Sequence, residues 1–384
     1  MQLSIDFETR STTDLPKAGV YRYAQDPNTE VWCMAFAFEE DEEPQLWVPG
    51  DPVPAELRFA ETYRAWNAQF ERVIWREICV KRYGFPAVDL EQFFCTQAEA
   101  AAMALPLGLG KCASVLRVED KDEAGSRLMK QMAKPRKPRK DEDPDALLWW
   151  DDAGRRARLY DYCKQDVVVE KAIAKKIRRL PLRERRAYVL DQRINDRGVH
   201  LDMELVGAMQ EMAEEAVARA NVTLSELTEG ECTEITNTGQ LRAYLGVDSV
   251  AAGVVSEMLE DDETAEGMLP VLQLRADNGK SSVSKLASML RCAVDGVIHG
   301  LLQYHGAATG RWAGRLVQPQ NFPRPTLDAE SFIDRVLRGD YDAVAEEAPV
   351  MEVLSSMLRS TLVPEYGKAF MCADFAAIEG WVVA

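Results

Sequence analysis

Leu3, Ile5 and Phe7 alternate with Ser4, Asp6 and Glu8 at the start of the chain, and no other feature restricts the fold as much. A period of two predicts a β-strand. Side chains two apart on a strand share a face, so Asp6 and Glu8 stand side by side. Each carboxylate raises the pKa of the other. A folded chain tolerates that mostly where a cation sits between them. Taken alone, Asp-x-Glu also fits a solvated strand face, so the decision rests on the remaining sequence.

The 384 residues predict two or three domains. With 47% hydrophobic and 28% charged residues, the composition is that of a soluble globular protein. No apolar run approaches the roughly 20 residues that span a bilayer, and a strand stands where a signal peptide would begin. The eight cysteines form no Cys-x-x-Cys pair, which argues against a zinc site and for free thiols in a cytoplasm. The net charge of −17 speaks against nucleic-acid binding. Two local runs oppose it: six basic residues and no acid over Lys130–Lys140, and eight basic residues against Glu184 over Lys171–Arg186. Each reads equally as a solvated surface or as a binding field.

Residues 1–50 read as strands and turns, with one strand over Glu30–Glu39 and another over Gln45–Val48. Asn67 to Tyr83 turns helical, with Asn67 as N-cap and Phe70, Val73, Ile74 and Ile78 on one stripe. Short helices broken at Pro106 and Gly108–Gly110 are expected over 86–125, a loop over Lys134–Pro144, and a long helix over Ala153–Leu180. Two further helical patterns flank the turn Asp196-Arg197-Gly198, and Phe370–Asp374 reads as a buried strand.

Tyr162 and Asp166 lie four apart in the long helical stretch, hence on one face. Glu71 falls in the first turn of the helix opened by Asn67. Four acids from three segments need counter-charge if they converge. Hard oxygen ligands suit two Mg²⁺ or Mn²⁺ ions, which support phosphodiester hydrolysis. The ordered set Asp6-x-Glu8, Asn67-x-x-Phe70-Glu71 and Tyr162-x-x-x-Asp166 resembles the proofreading 3′→5′ exonuclease of family A DNA polymerases. That resemblance implies a ribonuclease-H-like fold in which Asp6 bridges two metals and Glu8 and Asp166 hold the nucleophile-side metal. It also implies that Glu71 supports the second metal and that Tyr162 positions water. Many family members have aspartate where this chain has Glu71.

The likeness continues downstream. Lys280-Ser281-Ser282, the run Tyr304–Arg315 with Thr309, Arg311 and Arg315, and Gln318–Arg324 with Gln320, Asn321 and Arg324 resemble the thumb-to-palm segment of phage-type members. Glycines permit close approach, Arg and Lys neutralise phosphates, and Gln and Asn reach minor-groove acceptors. Met371–Glu379 resembles polymerase motif A, which makes Asp374 a catalytic, metal-binding aspartate and Glu379 a nucleotide-selecting side chain. The fingers and the second catalytic aspartate have no counterpart before Ala384.

The expectation is therefore an α/β ribonuclease-H-like exonuclease domain at 1–181, followed at 182–384 by a mainly α thumb and an incomplete α+β palm. Its cofactors are two divalent cations, and its partners are DNA primer-template and single-stranded 3′ ends, with no membrane. If phage-encoded, it works in the host cytoplasm. The alternative is a non-catalytic, primer-template-binding subunit of a split polymerase, completed by a second chain that supplies the fingers and the rest of the palm.

Overall fold

The computed structural model describes residues 1–118, 122–374 and 376–383, with the Glu379 side chain outside the described set. The chain forms two compact units, Met1–Gly198 with Arg291–Gln320, and Val199–Leu290 with Asn321–Ala384. The first compact unit therefore extends past the expected boundary at 181 and takes in a later segment. Packing explains this: Tyr188 and Tyr304 join the same apolar core as the N-terminal strands.

In the first unit, β1 (Gln2–Arg10), β2 (Glu30–Phe38), β3 (Gln45–Trp47), β4 (Thr62–Ala65) and β5 (Phe93–Cys95) form one sheet in the order β3-β2-β1-β4-β5. β1 runs antiparallel to β2 and parallel to β4, and so lies at the centre. Both faces of β1 are covered, but unlike each other. Leu3, Ile5 and Phe7 enter a core with Phe36, Trp47, Tyr63, Trp75 and Phe93. Several of its rings meet edge-on, with Trp75 and Phe85 centroids 4.9 Å apart. On the opposite face Ser4, Asp6 and Glu8 stand across from Ala37, Ala35 and Cys33 of β2. Those small residues let helix α6 (Ala153–Lys176) approach, and Cys163 and Val167 pack on them. α6 starts where Asp152 accepts a hydrogen bond from Arg155 N at 3.0 Å. It ends at Lys176 rather than Leu180, because Ile177 turns extended and buries its side chain.

The other expectations hold unevenly. Residues 1–50 also contain helix α1 (Leu15–Gln25), capped by Asp14 with Pro16 in its first turn. Its pattern is obscured at Gly19, where φ is 79° and a Cβ would lie 2.7 Å from Leu316 Cδ1. The helix after Asn67 divides into α2 (Ala68–Ile74) and a wider π-helical stretch over Trp75–Tyr83. Asn67 occupies the cap position without a side-chain capping bond. α3 (Thr96–Ala102) and α4 (Leu109–Leu116) are the short helices, with the break before Gly108 and Gly110 inside α4. α5 (Glu123–Met132) and α7 (Leu182–Arg197) are further helices of this unit.

In the second unit, α8 (Met203–Leu227) packs with the helices Thr238–Leu245 and Leu269–Asn278 around Leu224, Leu241, Val271 and Leu272. Val199–Leu201 pairs antiparallel with Leu362–Val363. Phe370–Asp374 is not a buried strand. It is irregular and exposed, with Met371 97% accessible. An extended segment needs a neighbour to satisfy its backbone, and among the described residues no ladder includes it. No helix among the described residues is long and apolar enough to cross a membrane.

Candidate metal centre

The face of β1 that meets α6 carries the acidic site. Asp6, Glu8 and Asp166 each offer a carboxylate oxygen, and these oxygens lie within 4.8 Å of one another. Glu8 and Asp166 are buried, while Asp6 is partly so. The strand period aligns the first two, and the rigid helix supplies the third. Cys163, three residues before Asp166, touches Asp6 through Sγ, 3.5 Å from Oδ2 and 3.4 Å from the carbonyl oxygen.

Tyr162 lines the same cleft, 1% exposed. Burial first, then the Asp166, Glu8 and Asp6 carboxylates, hold its phenol far above its ordinary pKa. It therefore keeps its proton at any physiological pH. Glu71 also lines the cleft but stands outside the group of three. It is 4% exposed, and its Oε2 has no hydrogen-bond partner. Burial, followed by the charge of Asp6, raises its pKa well above the usual carboxylate range. α2 is held in place by its next residue: Arg72 donates to Asp196 at 2.7 and 3.0 Å and to Gln192 at 3.2 Å.

One turn beyond Asp166, Glu170 continues the polar face of α6 into the interior. Thr96 donates to Glu170, and Arg64 donates to Glu99 at 2.6 Å and to Thr96 at 3.2 Å. Arg64 and Glu99 are almost wholly buried. Spacing alone hinted at Glu170 as the i+4 neighbour of Asp166. Its partners come from distant segments and leave no local signature.

The carboxylates open into a cleft of about 670 Å³. Trp66, Phe70, Leu109 and Met129 form apolar walls, while Lys130 and Lys134 stand on the rim together with Asn67. The basic run at Lys130–Lys140 thus brings two cations to an acidic site. Lys134 Nζ lies 3.1 Å from Asp14 Oδ2. The other residues singled out in the sequence fall elsewhere. Thr309, Arg311, Arg315 and Gln320 are exposed in the first unit. Lys280, Ser281, Ser282, Asn321, Arg324 and Asp374 belong to the second unit, where Ser281, Asn321, Arg324 and Asp374 are exposed. Asp374 is not part of the group of three. The expected selector side chain, Glu379, lies outside the described residues.

No protein-family model matches the chain. Among solved structures, it is similar to the POL domain of Pol1 from M. smegmatis in complex with DNA primer-template and dNTP. The TM-score is 0.47 at 15% identity, covering 84% of this chain and 52% of that one. Among curated proteins, a DNA polymerase of Bacillus phage SP02 is 35% identical over 403 residues. The match takes in all of this chain and 61% of the phage protein. Over its whole length, then, the chain is similar to this phage DNA polymerase, and it spans a little under two thirds of that protein's length.

Proposed function

We propose that the first unit is a ribonuclease-H-like 3′→5′ exonuclease, the proofreading portion of a family A DNA polymerase. The observation that carries this reading is the convergence of Asp6, Glu8 and Asp166 oxygens within 4.8 Å at the floor of an open cleft. A central strand flanked by antiparallel β2 and parallel β4, with α6 across its acidic face, supports the fold assignment. The all-oxygen donor set fits Mg²⁺ or Mn²⁺, which Asp6, Glu8 and Asp166 would hold, with Glu71 alongside. When bound, such a pair of cations supplies a nucleophilic water and neutralises the departing oxygen.

The chain's own residues do the rest. Tyr162, held protonated, donates a hydrogen bond toward the acidic floor and orients water there. Lys130 and Lys134 offset phosphate charge at the rim. Phe70, Trp66 and Leu109 give a terminal base an apolar surface to stack on and exclude water from the scissile bond. The product is a nucleoside monophosphate.

The second unit is proposed as the thumb and the N-terminal part of the palm, which grip primer-template in the polymerase as a whole. Asp374 would contribute to nucleotidyl transfer in the polymerase as a whole. The test is a 5′-labelled single-stranded DNA incubated with the chain and Mn²⁺. A ladder that shortens from the 3′ end supports the reading. Intact substrate, or internal cuts, refutes it.

A further inference from the structure

A second cavity of the first unit, about 370 Å³, lies beside the acidic cleft, and Asn67 and Phe70 line both. Its wall carries a chemistry that the hydrolytic site does not use. Asp191 Oδ1 and Gln303 Oε1 are each buried without a hydrogen-bond partner, and both residues line this one cavity, with the Gln69 amide beside the Tyr21 hydroxyl on the same wall. Asp191 is 1% exposed. Its other carboxylate oxygen accepts from Gln192 Nε2 at 3.0 Å and Asn195 Nδ2 at 3.2 Å, which holds the group in place.

Buried polar groups are ordinarily matched, and an unmatched one calls for a partner. Here the unmatched groups are two acceptors, and the Gln69 amide is a donor near them. Beside it stand the rings of Tyr188 and Tyr304, edge to face with centroids 5.8 Å apart, and the exposed Arg315 lies on the lining. A nucleobase has the complementary chemistry. Its edge offers N–H donors next to a carbonyl acceptor, its faces pack on aromatic rings, and a phosphate follows within reach of a cation.

We propose that this cavity holds an unstacked nucleobase of the same DNA single strand whose 3′ end lies in the acidic cleft. Asp191 and Gln303 accept from N–H groups on the edge of the base, Gln69 donates to its carbonyl where it has one, and Arg315 meets its phosphate. The shared wall at Asn67 and Phe70 lets one strand serve both cavities. The strand's polarity rests on the exonuclease reading, while the base pocket rests on the unmatched atoms. Tyr304 and Arg315, which the sequence grouped with polymerase contacts, thereby serve the editing strand.

The experiment uses the full chain in EDTA and a set of labelled single-stranded oligonucleotides, each with one abasic site at successive positions from the 3′ end. Affinity is read by fluorescence anisotropy. The expected result is a loss of about 10-fold for an abasic site at one internal position. Gln303→Leu should weaken the intact strand by a similar factor and remove the sensitivity to that position. Ala101→Leu, which fills the cavity without deleting a polar group, should do the same and decides the matter if the first variant does not fold. A flat scan, a scan unchanged by a folded variant, or a free deoxynucleoside monophosphate that competes as well as the strand overturns the proposal. Hydrolysis of the intact strand by the unmodified chain with Mn²⁺ is measured in parallel. Its absence refutes the exonuclease reading and leaves the abasic scan to judge the pocket by itself.

Discussion

Asp6 on the central strand and Asp166 on the long helix, drawn from opposite ends of the first unit's main segment, hold carboxylate oxygens within 4.8 Å of each other. Glu8 completes the group. Small residues on β2 make the approach of α6 possible, so the acidic floor depends on Cys33, Ala35 and Ala37 as well as on the acids. Like charges held this close store repulsion that a divalent cation relieves.

Asp166→Asn is therefore predicted to separate stability from activity. In EDTA the variant should be more stable, by about 1–3 kcal/mol, because one of the repelling charges is gone. With Mn²⁺ it should lose 3′-end hydrolysis by at least about 1,000-fold, near 4 kcal/mol of barrier. Thermal melting and a labelled-strand time course read the two effects. A variant less stable in EDTA, or one with full activity, contradicts the assignment.

Tyr162→Phe should slow hydrolysis by roughly 10- to 100-fold while leaving cation affinity unchanged. The ring remains to fill its buried site, and only the hydroxyl that faces the carboxylates is lost. A Mn²⁺ titration alongside the rate measurement distinguishes an orienting hydroxyl from a ligand. Weakened cation binding would point to the latter.

How much of this was legible in the sequence varied with the range of the interaction. The β1 alternation and the Tyr162/Asp166 spacing are local periodicities, and the structure keeps both. α1 was hidden because Gly19 breaks its regularity, although Asp14 and Pro16 mark its start. The π-helical stretch widens a pattern that a 3.6 period describes only in part. Glu170 and Cys163 gain significance only from Thr96 and Asp6, residues far off in the chain. The Lys130–Lys140 run was ambiguous because charge alone does not say what it faces. Phe370–Asp374 has the composition of a strand but no partner strand among the described residues, and composition cannot supply one.

Asp191 predicts a stability profile opposite to that of an ordinary surface acid. Burial pushes its pKa up to about 7, against 3.8 for the unperturbed group. Between those values the folded chain keeps a proton that the unfolded chain releases, so stability present below pH 3.8 declines as pH rises to 7. Asp191→Asn retains an acceptor for Gln192 and Asn195 and carries no charge. It should raise stability at pH 8 by about 2–4 kcal/mol and change little at pH 4. Urea unfolding at both pH values checks the sign, and an unaltered slope with pH would contradict it.

Asp26 contributes in the reverse sense. Burial alone would raise its pKa, but hydrogen bonds from Thr12, Thr13, Asn28 N and Ser11 outweigh it and bring the carboxyl down to about 2. That stability is complete above the unfolded value of 3.8 and is lost as pH falls through 2. Asp26→Ala should cost about 2 kcal/mol at pH 7, with the deficit shrinking as the solution is acidified. Thermal melts from pH 7 down to pH 2 measure the convergence. A constant deficit would show that packing, not the charge, was lost.

The account turns on whether the Asp6, Glu8 and Asp166 carboxylates take up a divalent cation together. Calorimetric titration of the full chain with Mn²⁺, repeated on Asp6→Asn, tests this without reference to any nucleic acid. Saturable binding in the unmodified chain and its loss in the variant is the predicted result. Equal binding in both, or none in either, would contradict the account.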